Sequence, residues 1–421
     1  VGNFGFAACQ WLMLVVLAKL GRPEMVGQYA LALGITAPVM LLANLNLRAV
    51  QSTDIRGDHS FASYVQLRLG TTVLALAGCL VAAMVASPST GTSLVIGCVA
   101  LAKSAESISD VFYGRLQKSE HMDRIAKSML FRGIVSLLAM SIVVRLTGNI
   151  VWGALSLFLT WLAVLVLYDI RSPVPGTNSP AGRHMAPAIF SLPAWRMLWP
   201  LALLALPLGV VQMLISLNAN IPRLLIQGYA GEHELGIFAA IAYVTIAGST
   251  LVTAVGQAVS PRLAHLFAHG DRAGFVRLLQ TLALLFAAGC GLAIAIVLVA
   301  GKPILALLYT REYAEQSGLL IIFTLSFGMG ALVSVLGFGI TAARRFRSQV
   351  PVVALAVTVV TVSGSILVPR LGTIGAAWAG LLSLTVWAIA SWFVLRSVLA
   401  GLPKASPRTE ITHASIGAVS A

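Results

Sequence analysis

What most limits the fold of this chain is a series of apolar segments, each about as long as a lipid bilayer is thick. A spanning helix needs about 20 mainly apolar residues. The sequence offers twelve such segments, at roughly 3–20, 26–48, 65–86, 92–113, 127–146, 150–169, 196–221, 235–257, 276–300, 317–341, 350–368 and 373–396. In hydrocarbon every backbone N–H and C=O must be satisfied within the protein, so segments of this length are predicted to be helices. A soluble domain has no use for a chain that is 58% hydrophobic, 10% charged and of mean hydropathy +0.91. The expected class is therefore an all-α polytopic membrane protein. The first segment lacks the series of charge, apolar core and small-residue cleavage site that marks a signal peptide, so it reads as a spanning helix.

The net charge of +14 would suggest nucleic acid in a soluble protein. Here the placement of the basic residues gives another reading. With the N-terminus assigned to the cytoplasm, the inner loops collect eighteen Lys and Arg, from Arg48, Arg56 and Arg115 through Arg344 and Arg345 to Arg408. The outer loops collect seven: Lys19, Arg22, Arg145, Arg223, Lys302, Arg311 and Arg370. This bias places both ends in the cytoplasm and predicts no nucleic-acid partner. The outer loops are short and carry Glu24, Glu232, Glu234, Glu312 and Glu315.

The longest break between apolar segments, SPVPGTNSPAGRHMAPAIFSLP, is rich in Pro, Gly, Ser and Asn and reads as a cytoplasmic linker. It divides the chain into six helices at 1–170, a linker at 171–195, six helices at 196–400 and a polar, disordered cytoplasmic tail at 401–421. The two halves look like copies. LGRPEMVGQYA (Leu20 to Ala30) stands before the second helix and AGEHELGIFAA (Ala230 to Ala240) before the eighth. With a one-residue gap, both read Gly, a Glu, a second Gly, an aromatic and Ala. Each is followed by an apolar helix and a Gly-Asp turn, Gly57-Asp58 and Gly270-Asp271, and NIVWGAL and TIGAAWAGL open the last helix of each half. Six helices per half make equivalent helices run the same way, which predicts a parallel repeat about an axis along the membrane normal.

The stretch ISLNANIPRLLIQGYAGEHELGIFAAIAY (Ile215 to Tyr243) puts Asn218, Asn220, Pro222 and Arg223 where lipid-facing sequence would have none. Polar groups at membrane depth are costly unless they face protein or water, so the stretch reads as the wall of a polar chamber between two bundles. Arg48 ends the second helix among Asn44, Asn46 and Gln51. An arginine presents a planar fork matched to phosphate oxygens and keeps its charge when dehydrated. Arg48 and Arg223, one toward each surface, would suit an anionic headgroup; snorkelling to the nearer interface is the alternative. Asn218 and Asn220 could bond sugar hydroxyls or satisfy backbone freed by Pro222, and Gln10 on the first helix is of the same sort. Pro207 and Pro222 are hinges or fixed kinks. Glu106 and Asp110, four apart on the fourth helix, could couple a proton or sodium ion to movement; a local Lys103–Glu106 pair and an interfacial Asp110 are the alternative. The tryptophans Trp195, Trp199, Trp378 and Trp387 read as interfacial anchors or packing.

Cys9, Cys79, Cys98 and Cys290 sit in apolar runs without metal-ligand spacing. No GxxxxGK[ST], HExxH, GxSxG or CxxC pattern occurs, so the expectation is no enzyme, no ATP hydrolysis, no metal and no cofactor.

The segments LAKLGRPEMVGQYALALGITAPVMLLANLNLRAV, SLNANIPRLLIQGYAGEHELGIFAAIAY and VGQAVSPRLAHLFAHGD resemble the Wzx-type polysaccharide biosynthesis proteins of the multidrug/oligosaccharidyl-lipid/polysaccharide (MOP) superfamily, from about Trp11 to Arg396. The resemblance implies two six-helix lobes in a MATE-like V and alternating access. It implies flipping of undecaprenyl-diphosphate-linked oligosaccharide to the periplasmic leaflet of the bacterial inner membrane, for O-antigen, capsule or exopolysaccharide. It also implies a cationic central cavity, with the NxNIPR-like motif on Asn218, Asn220, Pro222 and Arg223 and the basic end of the second helix on Arg48. The implied setting is a monomer in the bilayer working beside a polysaccharide polymerase and chain-length proteins. Relatives on this fold instead export drugs by cation coupling or flip a cell-wall lipid precursor, and a polytopic enzyme acting on lipid-linked sugars is a further alternative.

Overall fold

The computed structural model describes residues 2–54, 59–86, 89–171, 195–343, 345 and 348–400, and every regular element among them is helical. In order these are α1 (Gly2–Leu20), α2 (Pro23–Asn44), α3 (Leu47–Thr53), α4 (Phe61–Ala86), α5 (Thr90–Lys118), α6 (Met122–Thr147), α7 (Ile150–Val164, continued by a π-turn at Leu165–Asp169), α8 (Trp195–Tyr243), α9 (Ile246–Ala268), α10 (Arg272–Leu308), α11 (Arg311–Glu315), α12 (Ser317–Ala342) and α13 (Gln349–Ala400).

Nine helices among the described residues are long and apolar enough to cross a membrane. The expected twelve are recovered once three further features are read. The fourth segment is α5, whose Lys103, Glu106, Asp110, Arg115 and Lys118 lower its mean apolarity. The eighth runs through the second arm of α8 and α9, interrupted at Val244 and Thr245. The eleventh and twelfth are the two arms of α13, which joins across Gly372 (φ 58°) as α8 joins across Gly231 (φ 84°). The predicted linker from 172 to 194, the tail from 401 and the Gly57-Asp58 turn lie outside the described residues.

Helix boundaries follow local chemistry. Pro23 opens α2, where its missing N–H costs nothing, and Glu24 adds negative charge to the first turn. The helix ends at Leu45 and Asn46, both left-handed (φ 50° and 49°), and α3 resumes at once. Asparagine tolerates that conformation, but a leucine there is held by its surroundings, and Leu45 is buried against α8. Gly148 (φ 62°) closes α6 by donating its N–H to the Val144 carbonyl, and the Asn149 side chain accepts from the Val151 N–H to start α7. Asp271 caps α10 in the same way, by accepting from the Gly274 N–H.

Helices α1, α2 and α4 to α7 pack among themselves, as do α8 to α10, α12 and α13, and the main seam between the two groups is α2 against α8. Gly209 on α8 sits against the Leu42 carbonyl and Leu45 of α2, and Gly34 of α2 sits against Asn220 and Leu224. At the far end the repeat predicted from the sequence becomes a contact between its own copies. A Cβ on Gly27 would lie 1.9 Å from the Glu232 carbonyl oxygen, and one on Gly236 would lie 1.9 Å from that of Pro23. The equivalent glycines of the two halves therefore let the two backbones touch.

Candidate functional site

A polar chamber of about 220 Å³ lies where the two lobes meet, bordered by Gln10 of α1, Tyr29 of α2, Lys103 of α5, and Asn220, Arg223 and Tyr243 of α8. Arg223 also borders a second space of about 440 Å³ inside the second lobe, with Asn218, Pro222, Thr245, Ser249, Ser326 and Trp387 on its wall. The predicted Asn218-to-Arg223 cluster is therefore at a cavity wall, as is Gln10.

Arg223 is held by its own helix. Its Nη1 donates to the Asn220 Oδ1 (3.0 Å), and the guanidinium lies 5.4 Å from the ring centre of Tyr243. Asn220 in turn donates from Nδ2 to the Ser216 carbonyl (2.9 Å). The carbonyl that Pro222 leaves without a donor is that of residue 218, so Asn220 orients the arginine rather than repairing the proline. Asn218 is nearly sealed: its Oδ1 accepts from Ser383 Oγ at 2.6 Å. Pro207 and Pro222 both sit inside α8, whose non-helical residue is Gly231, and the other breaks in helix along this seam are at Leu45–Asn46 and Val244–Thr245.

Opposite Arg223, Lys103 reaches the same chamber from the first lobe. Its Nζ bonds Glu106 Oε2 at 2.8 Å and lies 5.1 Å from the Trp161 ring centre. Sequence reasoning treated Lys103 only as a local partner of Glu106. It also passed over Tyr29 and Tyr243, because aromatic residues in apolar helices read first as packing. The i,i+3 spacing of Lys103 and Glu106 was visible, but which face of α5 meets α8 was not. Among the described residues Arg223 has no carboxylate partner, so one positive charge in the chamber is left uncompensated.

The remaining candidates lie elsewhere. Arg48 borders a separate pocket of about 550 Å³ at the opposite end, with Asn3, Asn46, Gln117 and Gln257. It is bound to Gln117 (2.8 Å) and Asp110 (3.5 Å) and lies beside the Tyr113 ring. Asp110 also bonds buried Arg68 (3.1 Å), whose Nη1 donates to Asn44 Oδ1, an oxygen that also accepts from Ser107. Asn44 thus ties the end of α2 to α4 and α5, and Gln51 is buried against Gly114. Neither lines a cavity described above. Deeper in the first lobe, Arg132 bonds Asp169 on the π-turn (3.1 Å) and Ser109 (2.6 Å), with Ser128 also donating to Asp169. Each buried carboxylate of this lobe already faces a cation, the arrangement that makes charge tolerable at membrane depth. No cluster of three or more His, Cys, Asp or Glu suited to a metal occurs among the described residues.

At the end carrying Glu24 the lobes are joined by polar bonds around the glycine contact. His233 is held between Glu24 (Nδ1 to Oε1, 3.0 Å) and Glu312 (Nε2 to Oε1, 2.9 Å). Gln28 donates to Glu232 at 2.8 Å, and Thr92 donates to the other oxygen of the same carboxylate.

No family model matches the chain. A capsular polysaccharide biosynthesis protein, CapF of Staphylococcus aureus, is 29% identical over 381 residues, covering 90% of this chain and 92% of that protein. The inward-facing conformation of a multidrug resistance MATE family transporter of the MOP superfamily superposes with a TM-score of 0.70 at 14% identity, covering 97% of this chain and 96% of that one. The lipid II flippase MurJ, in an inward closed conformation, gives 0.63 at 13% identity, with 95% and 88% covered. These structural neighbours are transporters and flippases rather than enzymes. The chain is a multi-pass membrane protein, as the apolar segments predicted, and its fold is that of the MATE transporters, as the resemblance implied.

Proposed function

We propose that this chain flips undecaprenyl-diphosphate-linked oligosaccharide repeat units from the cytoplasmic to the periplasmic leaflet of a bacterial inner membrane, by alternating access, for surface polysaccharide synthesis. The observation that carries the reading is the chamber between the lobes, where Arg223 and Lys103 face the same space from opposite sides. A diphosphate cannot cross hydrocarbon unaided, while its prenyl tail need never leave it. A guanidinium without a carboxylate partner supplies a fork for phosphate oxygens, and the amides and hydroxyls of the adjoining 440 Å³ space offer partners to sugars. The capsular polysaccharide relative and the lipid II flippase neighbour support the substrate class. The cytoplasmic placement of both termini and of the 171–195 linker between lobes 1–170 and 196–400 belongs to the same reading.

In this cycle Arg223 and Lys103 bind the headgroup, and Arg48 meets it at the cytoplasmic mouth. Export of cationic drugs fits the site poorly, because the chamber carries surplus positive charge and Glu106 and Asp110 are both occupied by cations. Deleting the gene in its host is expected to abolish surface polysaccharide and to accumulate lipid-linked repeat units on the inner leaflet. Wild-type copies should restore the polymer, and Arg223→Gln with Lys103→Gln should not. Normal polymer without accumulation in the deletion strain would overturn the reading.

A further inference from the structure

Outside the chamber, in the second lobe, a groove of about 600 Å³ runs between α10 and the second arm of α13 over a floor of α12. It continues into a second tract of about 520 Å³ that shares Ala283, Met329 and Leu332 with it. The two sides of α12 are distinct: Met329 and Leu332 line the groove, while Gly330 and Ala331 line the internal space. The groove is therefore one helix away from the cavity and not part of it.

Three observations restrict what fills it. Its walls are apolar apart from Gln280, and its only charged residues stand together at one end, where Arg272 opens α10 and Arg396 stands near the close of α13. Neither arginine has a carboxylate partner among the described residues. The far tract, bordered by Cys290, Ile294, Leu325 and Leu381, carries no charge. Length is the third point. From Arg272 to Ile294 the α10 wall rises by about 33 Å at 1.5 Å per residue, whereas one leaflet of hydrocarbon is only about 15 Å deep. A phospholipid tail whose headgroup lies at the arginines ends near the midplane and leaves the second tract empty. Two phospholipids end to end would need a second charged station for a headgroup, and the far tract, with Thr385 as its one hydroxyl, has none. One long, flexible hydrocarbon with a single anionic head satisfies all three conditions.

We propose that this groove is a binding site for a polyprenyl phosphate or diphosphate lipid, with Arg272 and Arg396 on the phosphate and the isoprenoid chain lying along α10 past the bilayer midplane. The site rests on the lipid-linked reading of the substrate and assigns recognition of the carrier lipid to a surface separate from the headgroup chamber. Two guanidiniums match a phosphate through charge-assisted hydrogen bonds, and the tail supplies apolar area continuous with the lipid around it.

The test uses the full-length protein in nanodiscs, with undecaprenyl phosphate and phosphatidylglycerol competing as probes and retained lipid read by native mass spectrometry. Preferential retention of undecaprenyl phosphate, by about tenfold, is expected. Ala287→Trp fills the second tract from a lipid-exposed position. It should remove that preference while leaving phosphatidylglycerol unchanged. Arg272→Gln with Arg396→Gln should weaken both probes, and the comparison is made in an Arg223→Gln, Lys103→Gln background so that retention in the headgroup chamber does not contribute. Equal retention of the two lipids by the wild type, or an unaltered preference in Ala287→Trp, overturns the proposal. Either result leaves the flipping reading standing, since that is judged by polysaccharide export in the Arg223 and Lys103 variants. Loss of export in those variants with a blocked groove still exporting would likewise sink the groove alone.

Discussion

Replacing Gly27 by alanine tests whether the contact between the two repeat glycines holds one end of the molecule shut. The added Cβ would stand 1.9 Å from the Glu232 carbonyl oxygen and 2.8 Å from its carbon, against an ordinary contact of 3.4 Å or more. The obstacle is backbone, which cannot rotate away as a side chain would, so α2 and the second arm of α8 must part by about 1.5 Å, the difference 3.4 − 1.9. The hydrogen bonds beside the contact do not survive that movement. Gln28 to Glu232, now 2.8 Å, would open to about 4.3 Å, and Glu24 to His233, now 3.0 Å, to about 4.5 Å. Forcing one extra carbon into a packed seam costs about 1–3 kcal/mol, and the lost bonds add to that. At 1.4 kcal/mol per tenfold, the equilibrium between this closed end and an open one shifts by roughly 5- to 150-fold. Spin labels at Thr90 and Arg311, on opposite lobes at this end, would report the shift as a longer-distance population in double electron–electron resonance. Gly236→Ala should do the same from the other side, because its Cβ meets the Pro23 carbonyl at the same 1.9 Å. A distance distribution identical to wild type in either variant would refute the reasoning, even with a lower melting temperature, since the strain would then have been absorbed within a lobe.

The same end should respond to pH. Histidine changes charge near neutral pH, and His233 faces Glu24 of α2 and Glu312 of α11, with Glu232 and Glu234 beside it. The imidazolium attracts both carboxylates, so the clasp is complete on the acid side and is lost as pH rises through the histidine's titration. The longer Thr90–Arg311 distance should gain population as pH rises from mildly acidic to mildly alkaline, and His233→Gln should flatten that dependence; a pH-independent wild type would refute it. Asp169→Asn leaves Arg132, 2% exposed, without its carboxylate and is expected to cost about 3–5 kcal/mol in thermal unfolding. Glu106→Gln should cost less, because its partner Lys103 borders the polar chamber, and a larger loss than in Asp169→Asn would show that order to be wrong. In transport, Arg223→Lys should recover less export than wild type, since a point charge replaces a fork; full recovery would mean that only charge matters there.

Much of the architecture was legible because lipid leaves few options. A run of about 20 apolar residues must be a helix, and six runs on either side of a Pro- and Gly-rich break already define two lobes. The interruptions were not legible. Leu45 has no sequence signal for a left-handed conformation, and the eighth segment looked continuous through Val244 and Thr245. The candidate site was half visible. Asn220 and Arg223 announced themselves as polar residues in an apolar helix, but Arg48 and Asn44 gave the same signal and serve a different pocket and an internal tie. The difference lies in which helix face meets which neighbour, and with polar residues scattered on apolar helices the periodicity carries too little contrast to fix a face. Glu106 and Asp110 show the same limit. The partners of Asp110, Arg48 and Arg68, come from other helices, and Lys103 beside Glu106 gave no sign that it also reaches the chamber, so the sequence could not tell a free carboxylate from a neutralised one.

The repeat also separates what the two lobes share from what each contributes. The two halves meet through Gly27 and Gly236, which hold equivalent places in the sequence repeat, yet the chamber beside this contact is chemically lopsided. The Lys–carboxylate and Arg–carboxylate pairs found among the described residues belong to the first lobe, where buried Arg68 and Arg132 and half-buried Lys103 each lean on a carboxylate. The second lobe brings Arg223, tied only to an amide and a ring. A cation already paired gains less from an arriving anion, because the old partner must be displaced or repelled, whereas an unpaired one gains the full interaction. On the proposed reading Arg223 therefore makes the first strong bond to the diphosphate. Lys103 joins it only when the anion draws its ammonium from Glu106, and the chamber's affinity depends on how closely the lobes bring those two side chains together. Substrate binding and lobe closure are then coupled through one shared distance, and removing the Glu106 charge should raise affinity while weakening the response of that affinity to lobe position. Glu106→Gln that binds undecaprenyl diphosphate no more tightly than wild type would break this link.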